Sequence, residues 1–292
     1  MGKVSTFFAA IAGAVVAGSC SPLSVFDALV PKDRGAALAL HDAAFGSDPR
    51  QRLDVYRPSG QAAGPLPVIV FFYGGSWNSG SKAGYSFVGR ALAARGFMVV
   101  IPDYRLVPQI HYPEFLGDNA MAVRWARAHI AGLGGNPDCL ILAGHSAGAY
   151  NAAMLALDPR WLGADRKWVR GFIGLAGPYD FLPFKGDVVR EAFGGVANPA
   201  STQPVNFADA SDPPAFLATG SSDHVVKPAN SDTLAKRLRA AGVVVERRIY
   251  PKVGHVGLLT AIARPLRVRA QVLDDMTTFT RAAIDDRCRS SA

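Results

Sequence analysis

A serine between two glycines is the first feature of this sequence that could do chemistry. Ser146 lies in the pentapeptide Gly144-His145-Ser146-Ala147-Gly148. A serine hydroxyl is a weak nucleophile at neutral pH, so it needs a base that takes its proton and a turn that exposes its oxygen. Small residues two positions before and after the serine permit such a turn between a strand and a helix. The pentapeptide alone is a weak pattern, because it also occurs in ordinary flexible turns.

A histidine and an aspartate follow the serine in the order Asp, then His, that a nucleophile in this turn requires. Asp223 comes directly after the apolar segment 215–218, and His255 follows the segment 243–249 in a glycine-containing loop. A carboxylate there would fix the tautomer of the imidazole and stabilise its cation. We therefore predict Ser146 as the nucleophile, His255 as its base and Asp223 as the orienting acid. The sequence favours acyl transfer through a covalent intermediate.

Three nearby side chains are weaker candidates for the same roles. His224 adjoins Asp223 and is expected to be a neighbour of the acid, not the base. Asp209 and Asp212 precede the segment 215–218, so we expect them to be solvated loop residues.

A second glycine-containing segment lies upstream, in Tyr73-Gly74-Gly75-Ser76-Trp77 at the end of the apolar run 68–72. Glycines there let the backbone aim its N–H groups at a developing oxyanion. We predict that Gly75, Ser76 and Ala147 supply the oxyanion-hole donors. The alternative is an ordinary turn.

The elements that must position these residues alternate along the chain. After an irregular polar stretch that ends near Ser47, we predict strands at residues 53–56, 68–72, 97–101, 139–143, 172–175, 215–218 and 243–249. We predict helices at residues 88–94, 118–130, 149–157, 231–241 and 270–284. Continuous apolar strands that alternate with helices are typical of an α/β fold with a largely parallel central sheet and helices on both faces.

Further motifs carry a resemblance that covers about residues 45–285. They are Leu53-Asp54-Val55-Tyr56-Arg57-Pro58, Asp103-Tyr104-Arg105-Leu106 and Gly134-Gly135-Asn136-Pro137. With the serine pentapeptide, they resemble the esterase/lipase branch of the α/β-hydrolase superfamily, related to hormone-sensitive-lipase-like carboxylesterases, feruloyl esterases and isoprenylcysteine methylesterases. The resemblance implies an α/β-hydrolase fold without a large cap domain, and Asp103 and Arg105 as a structural polar anchor. Tyr73 stands where that branch usually has His.

The long connection at residues 178–210 is the one segment expected to cover the site. Its Phe181, Phe184 and Phe193 are candidates for the wall of an acyl or alcohol pocket, or for the core.

These observations predict a serine carboxylesterase that acts on a small-molecule ester. The alternatives are an amide hydrolase, such as a formamidase or a small peptidase, and a non-catalytic binding protein of the same fold. No cofactor or metal is implied, because the sequence contains no metal-ligand cluster, phosphate loop or dinucleotide fingerprint. The net charge of +8 is scattered, which argues against a nucleic-acid partner. The sequence indicates no oligomeric state.

The amino terminus predicts export. Lys3 precedes an apolar run at residues 7–18, and small residues lead to Cys20 as in a bacterial lipoprotein signal. We expect residues 1–20 to be this signal, residues 21–45 a leader segment, and residues 46–292 the catalytic domain. Lipidation of Cys20 would anchor the exported chain to a membrane; an ordinary secretory signal and an uncleaved membrane anchor are the alternatives. Cys139 and Cys288 are expected not to pair, since one lies in a core strand and the other in the tail.

Overall fold

The computed structural model describes residues 21–288, so the predicted export signal and Cys20 lie outside the described residues. An eight-stranded sheet forms the centre, with the strand order β1-β2-β4-β3-β5-β6-β7-β8. The strands are β1 (Ala36–Ala44), β2 (Arg52–Pro58), β3 (Leu66–Phe72), β4 (Met98–Pro102), β5 (Gly135–His145), β6 (Val169–Leu175), β7 (Ala215–Gly220) and β8 (Val245–Tyr250).

The sheet is mostly parallel, as the apolar runs predict. Strands β4, β3, β5, β6, β7 and β8 pair in parallel, whereas β2 is antiparallel to both β1 and β4. Every side chain from Val68 to Phe72 is fully buried. Successive strand residues point to opposite faces, so this burial requires that both faces are covered. The predicted α/β-hydrolase fold is confirmed.

Helices provide this cover, and most of them connect consecutive strands. They are α1 (Pro22–Leu29), α2 (Ser86–Ala93), α3 (Glu114–His129), α4 (Ala147–Leu157), α5 (Pro159–Leu162), α6 (Asp187–Phe193), α7 (Ala229–Ala240), α8 (His255–Thr260) and α9 (Val272–Cys288). A 3₁₀ turn at Lys82–Tyr85 leads into α2. In the described part of the chain, no helix combines the length and the apolar character needed to cross a membrane.

The stretch before Ser47, expected to be irregular, contains both a helix and a strand. Strand β1 pairs with β2 along its length, with two register shifts, between Leu38 and Leu40 and between Leu40 and Ala43. Its side chains are mostly half-buried or exposed, as at the edge of a sheet. Part of the leader segment assigned to residues 21–45 therefore belongs to the same sheet as the rest.

The expectation that Cys139 and Cys288 do not pair is wrong. They form a disulfide between the buried part of β5 and the end of α9, with their Cα atoms 5.9 Å apart. Helix α9 packs back across β5 and β6, which brings the last described residue to the central strand. A cysteine in the tail thus reaches a core strand because the helix before it lies against the sheet.

Candidate active site

Ser146 lies in a sharp turn between β5 and α4, with φ = 54° and ψ = −124°. Positive φ is uncommon for a residue with a side chain and costs conformational energy, so the surrounding packing must hold it. A Cβ atom on Gly144 would lie 2.2 Å from the carbonyl oxygen of Gly148, and one on Gly148 would lie 2.0 Å from that of Phe72. Both glycines are therefore required by close backbone contacts.

A continuous chain of hydrogen bonds leads from this serine. The hydroxyl oxygen of Ser146 is 2.9 Å from Nε2 of His255, and Nδ1 of His255 is 2.8 Å from a carboxylate oxygen of Asp223. The imidazole stands at the start of α8, and its side chain is 10% exposed. The three residues predicted from the sequence lie within hydrogen-bond distance, in the arrangement that lets an imidazole take a proton from a hydroxyl.

The carboxylate of Asp223 is held on both of its oxygens. The residue is 3% exposed, and the oxygen that does not face His255 accepts the backbone N–H groups of Val225 and Val226. The loops that carry the acid and the base are in contact, because a Cβ atom on Gly220 would lie 2.0 Å from the carbonyl oxygen of Val253. This contact brings Asp223 and His255 to one edge of the sheet.

The weaker candidates lie elsewhere. His224 is exposed, in contrast to its neighbour Asp223. Asp212 is not the solvated residue expected from the sequence: it is 7% exposed and pairs at 3.0 Å with Arg166, and burial raises its pKa to about 6. Asp209 is exposed, as expected from the sequence, and its backbone N–H donates to the carboxylate of Asp212 at 2.7 Å. Both belong to a structural loop.

The upstream loop approaches the serine closely. A Cβ atom on Gly74 would lie 2.8 Å from the carbonyl oxygen of His145, and Gly75 and Ser76 have φ values of 135° and 51°. The N–H of Gly74 donates to the hydroxyl of Tyr85 at 2.9 Å. By contrast, the N–H groups of Gly75, Ser76 and Ala147 donate to no acceptor within residues 21–288. These are the three donors predicted for an oxyanion.

Trp77 fastens this loop, a role that the sequence does not indicate. Its indole N–H donates to the side-chain oxygen of Asn151 in α4 at 3.1 Å, and its ring is 3% exposed. The ring packs against Tyr150 and Phe193, at centroid distances of 5.2 and 4.8 Å. The oxyanion loop and the helix that follows Ser146 are thereby joined through side chains.

Aromatic residues of the connection 178–210 contribute to this packing. Phe193 is buried in the core, and Phe181 and Phe184 are half-buried against it. Of the two roles left open for them, core packing is the one observed for Phe193. None of the three lines the cavity beside Ser146.

The tyrosine at the usual histidine position points away from the serine. Tyr73 is fully buried, its ring stacks on Tyr104 at 4.6 Å, and its hydroxyl accepts a hydrogen bond from Arg50 at 2.7 Å. Asp103 and Arg105 form polar anchors beside it: Asp103 accepts the backbone N–H of Lys82 at 2.6 Å, and Arg105 pairs with Asp118 at 2.7 Å.

His145, directly before the serine, is a buried histidine that stays neutral. It is 4% exposed, and burial together with the nearby His255 lowers its pKa to about 3. Its Nε2 lies 3.2 Å from the backbone carbonyl of His255, so this nitrogen carries the proton and donates it. The contact ties the turn at Ser146 to the start of α8.

A cavity of about 570 Å³ opens beside Ser146 and His255. The oxyanion loop and α8 form two of its sides, and α1 forms another through Pro22, Leu23 and Phe26. Sequence patterns gave α1 no role, because its contribution follows only from where it docks. A larger groove of about 860 Å³, between the starts of β3 and β5, contains none of these residues and lies at the opposite edge of the sheet. Within residues 21–288, no group of three or more His, Cys, Asp or Glu side chains is arranged as a metal site.

Comparisons with known proteins give the relatives of this chain in sequence and in fold. The model of the BD-FAE family matches residues 53–238, which is more than half of the chain. Esterase LipC of Mycobacterium tuberculosis is 33% identical over 225 residues, covering 67% of this chain and 54% of that protein. Isoprenylcysteine alpha-carbonyl methylesterase ICME of Arabidopsis thaliana is 30% identical over 268 residues, covering 83% of this chain and 62% of that protein.

The chain therefore spans between about half and two thirds of the length of these curated relatives. The crystal structure of esterase B from Lactobacillus rhamnosis superposes with a TM-score of 0.81 at 19% identity, covering 99% of this chain and 96% of that one. At this identity the match concerns the fold alone.

Proposed function

Since this chain belongs to the BD-FAE family of α/β-hydrolases, we propose that it is a serine carboxylesterase that hydrolyses small carboxylic esters through an acyl-enzyme. Two relatives whose names describe esterases support the reaction class. The observation that carries the proposal is the hydrogen-bonded chain Ser146–His255–Asp223, with distances of 2.9 and 2.8 Å.

In the first half of the reaction, the oxygen of Ser146 attacks the carbonyl carbon of the ester. Nε2 of His255 takes the hydroxyl proton, and Asp223 stabilises the imidazolium that forms. The carbonyl oxygen becomes an oxyanion, which the unengaged N–H groups of Gly75, Ser76 and Ala147 stabilise. The C–O bond to the alcohol then breaks, and His255 gives its proton to the leaving oxygen. The acyl group remains on Ser146.

In the second half, water replaces the alcohol. The oxygen of a water molecule attacks the acyl carbon while His255 takes a proton from that water. The same N–H groups stabilise the second oxyanion. The bond from the carbonyl carbon to the oxygen of Ser146 breaks, the proton returns to that oxygen, and the carboxylic acid leaves. Enzyme and proton positions are restored, so no cofactor is consumed.

A fluorophosphonate probe tests the nucleophile directly. We expect the probe to label the wild-type protein, and Ser146→Ala to abolish both labelling and the hydrolysis of p-nitrophenyl acetate. Ser81→Ala is the matched control, because Ser81 also lines the cavity but its hydroxyl contacts neither His255 nor the oxyanion loop. A wild-type protein that neither reacts with the probe nor hydrolyses the ester is a binding protein of this fold, which contradicts the proposal.

The same site chemistry applies to amides, so the leaving group must be compared. We expect kcat/KM for p-nitrophenyl acetate to exceed that for p-nitroacetanilide, which differs only in the bond cleaved. Faster cleavage of the anilide would identify an amide hydrolase.

We also propose that the chain is exported and is anchored to a membrane through a lipidated Cys20. The apolar run after Lys3 supports this, and so does the disulfide between Cys139 and Cys288, since structural disulfides persist in oxidising compartments. The mass of the mature amino terminus tests the proposal. A diacylglyceryl group on Cys20 is expected, whereas an intact Met1 excludes every form of cleavage.

A further inference from the structure

Helix α1 forms one wall of the cavity beside the nucleophile. Pro22, Leu23 and Phe26 line the cavity, and Val256 and Leu259 of α8 line it as well. Leu23 and Phe26 are half-buried and pack against the core, so they form a fixed surface. Apolar side chains of two helices therefore line the same cavity as Ser146.

The position of α1 is secured by a buried carboxylate. Asp27 is 6% exposed, and its two oxygens accept the backbone N–H of Phe87 at 2.7 Å and the hydroxyl of Ser86 at 2.6 Å, at the start of α2. A carboxylate at a helix amino terminus is favoured by the unpaired N–H groups there. Phe26 packs edge-on against Phe87 with a centroid distance of 5.3 Å.

A second contact seats the opposite end of α1. A Cβ atom on Gly84 would lie 3.4 Å from the backbone nitrogen of Ser24, so the helix rests directly on the turn before α2. That turn ends at Tyr85, whose hydroxyl accepts the N–H of Gly74 in the oxyanion loop. The wall of the cavity and the oxyanion loop are thus connected through one short segment.

We propose that α1 is the specificity wall of this site, with Leu23 and Phe26 contacting an apolar chain of the ester, so that the enzyme prefers esters with a medium-length apolar chain to acetates of small alcohols. This inference rests on the proposed function. The cavity volume of about 570 Å³ falls within the range of about 300–1,000 Å³ typical of pockets for drug-sized ligands. An acetyl group would leave most of the apolar surface of the cavity in contact with water. A longer chain would cover that surface and remove it from water.

A cavity-filling substitution tests the wall. Leu23→Trp places a larger side chain in the cavity, while Leu29→Trp makes the same exchange on the same helix at a residue that is 60% exposed and does not line it. We expect Leu23→Trp to lower kcat/KM for p-nitrophenyl octanoate about tenfold or more, because a few misplaced methylenes have effects of this size. The loss for p-nitrophenyl acetate should be smaller, so that the octanoate-to-acetate ratio falls, whereas both activities of Leu29→Trp should stay within about twofold of wild type.

The chain that α1 contacts can belong to the acid or to the alcohol, and two substrate series separate these cases. The first series is p-nitrophenyl acetate, butyrate, hexanoate and octanoate; the second is ethyl, butyl, hexyl and octyl acetate. A Leu23→Trp effect that grows with length only in the first series identifies an acyl site, and one that grows only in the second identifies an alcohol site. Either result supports the specificity wall.

Phe26→Ala provides the opposite change. Removing the ring enlarges the cavity, so the preferred chain length should increase by about two or more carbons if α1 limits the space. It also serves if Leu23→Trp does not fold. Chain-length profiles that, in both series, are unchanged in Phe26→Ala and equal in Leu23→Trp and Leu29→Trp would overturn the inference while leaving the esterase intact. A wild-type protein that hydrolyses no ester in either series would instead overturn the proposed function and this inference with it.

Discussion

Asp223 contacts both the backbone of its own loop and His255. These contacts fix the orientation of its carboxylate, which a simple counter-ion would not require. One oxygen accepts the N–H groups of Val225 and Val226, which leaves the other directed at Nδ1 of His255. The acid is thereby oriented before any substrate binds. In the proposed reaction, the charge of this carboxylate, more than its shape, would stabilise the imidazolium.

The Asp223→Asn variant isolates that charge. We expect kcat for p-nitrophenyl acetate to fall by about 10³–10⁴-fold with little change in KM, because the amide keeps the shape but no longer holds the productive imidazole tautomer. Steady-state kinetics measure both constants. His224→Gln, at the exposed neighbour, should retain wild-type activity; a comparable loss in that variant would point to disruption of the loop instead.

His145 links acidity to stability. Its pKa of about 3 in the folded protein lies below the ordinary value of 6.5, so the unfolded chain binds a proton that the folded one does not. The stabilisation is therefore complete above pH 6.5 and is lost as the pH falls from there towards 3. This one group contributes a slope of up to about 1.4 kcal/mol per pH unit in that window.

Urea unfolding at pH 7, 5.5 and 4.5 measures this contribution. In His145→Phe the free energy of unfolding should decrease less steeply with acidification than in wild type. The difference in slope should correspond to the uptake of up to about one proton fewer on unfolding. His111→Gln alters an exposed histidine and should keep the wild-type slope. Parallel slopes for wild type and His145→Phe would show that His145 is not a buried neutral group.

At the residue scale, local patterns predicted the three residues of the hydrogen-bonded chain but not the residues that hold them in place. Ser146, Asp223 and His255 each follow an apolar segment, so their placement at one sheet edge could be inferred from chain order. Asn151 and Leu23 carry no comparable signal, because their contacts come from segments distant in sequence. Asp212 was misjudged, since its burial depends on Arg166, forty-six positions earlier.

The position of the oxyanion loop, residues 73–77, depends on helix α4. Its two residues with unengaged N–H groups have positive φ values, and the loop stays in place because Trp77 binds Asn151 and packs among aromatic rings. Donors aimed at an oxyanion are effective only if they are held before the charge develops. Side chains on α4 therefore control the geometry of a loop that they do not adjoin in sequence.

Replacing Trp77 with Phe removes the indole N–H while keeping an aromatic ring. We expect kcat to fall about tenfold with KM nearly unchanged, less than the loss of a whole oxyanion donor, because the donors remain but are less well aligned. Asn151→Leu should reproduce the effect from the other side of the bond. Trp125→Phe, in α3, serves as the control; equal losses there would indicate a general packing defect.

Sequence patterns predicted the buried elements well and the peripheral ones poorly. The strands β3, β4, β5, β6 and β7 are continuous apolar runs, which is the strongest pattern that a doubly covered sheet produces. Strand β1 is rich in alanine and is interrupted by two register shifts, so it shows neither alternation nor a continuous run. Helix α1 has eight residues and is positioned by Asp27 more than by its own periodicity.

The molecule as a whole is closed by the bond between Cys139 and Cys288, which lie 149 positions apart. A crosslink over so long a span restricts the unfolded chain strongly. Pairing could not be inferred from the sequence, because it depends on the direction in which α9 returns across the sheet. The same return path packs Phe279 against Phe216 of β7.

The double variant Cys139→Ser/Cys288→Ser should be less stable by about 2–5 kcal/mol, since its unfolded state gains conformational freedom. Thermal or urea unfolding measures the difference. Activity at 25 °C should persist, because neither cysteine contacts Ser146 or His255. Dithiothreitol should lower the unfolding midpoint of the wild type but not that of the variant; an equal response of both proteins would mean that the bond does not form.

The disulfide also makes a covalent ring of the chain between Cys139 and Cys288, and Ser146, Asp223 and His255 all belong to that ring. A protease that cuts once in the exposed surface segment 194–201 would open the ring into a linear loop without releasing a fragment. In denaturing gel electrophoresis the nicked molecule would migrate as one species without a reductant and as two fragments with one. Ser146 lies before the cut and Asp223 and His255 lie after it, so the disulfide would keep the two parts of the site on covalently joined fragments.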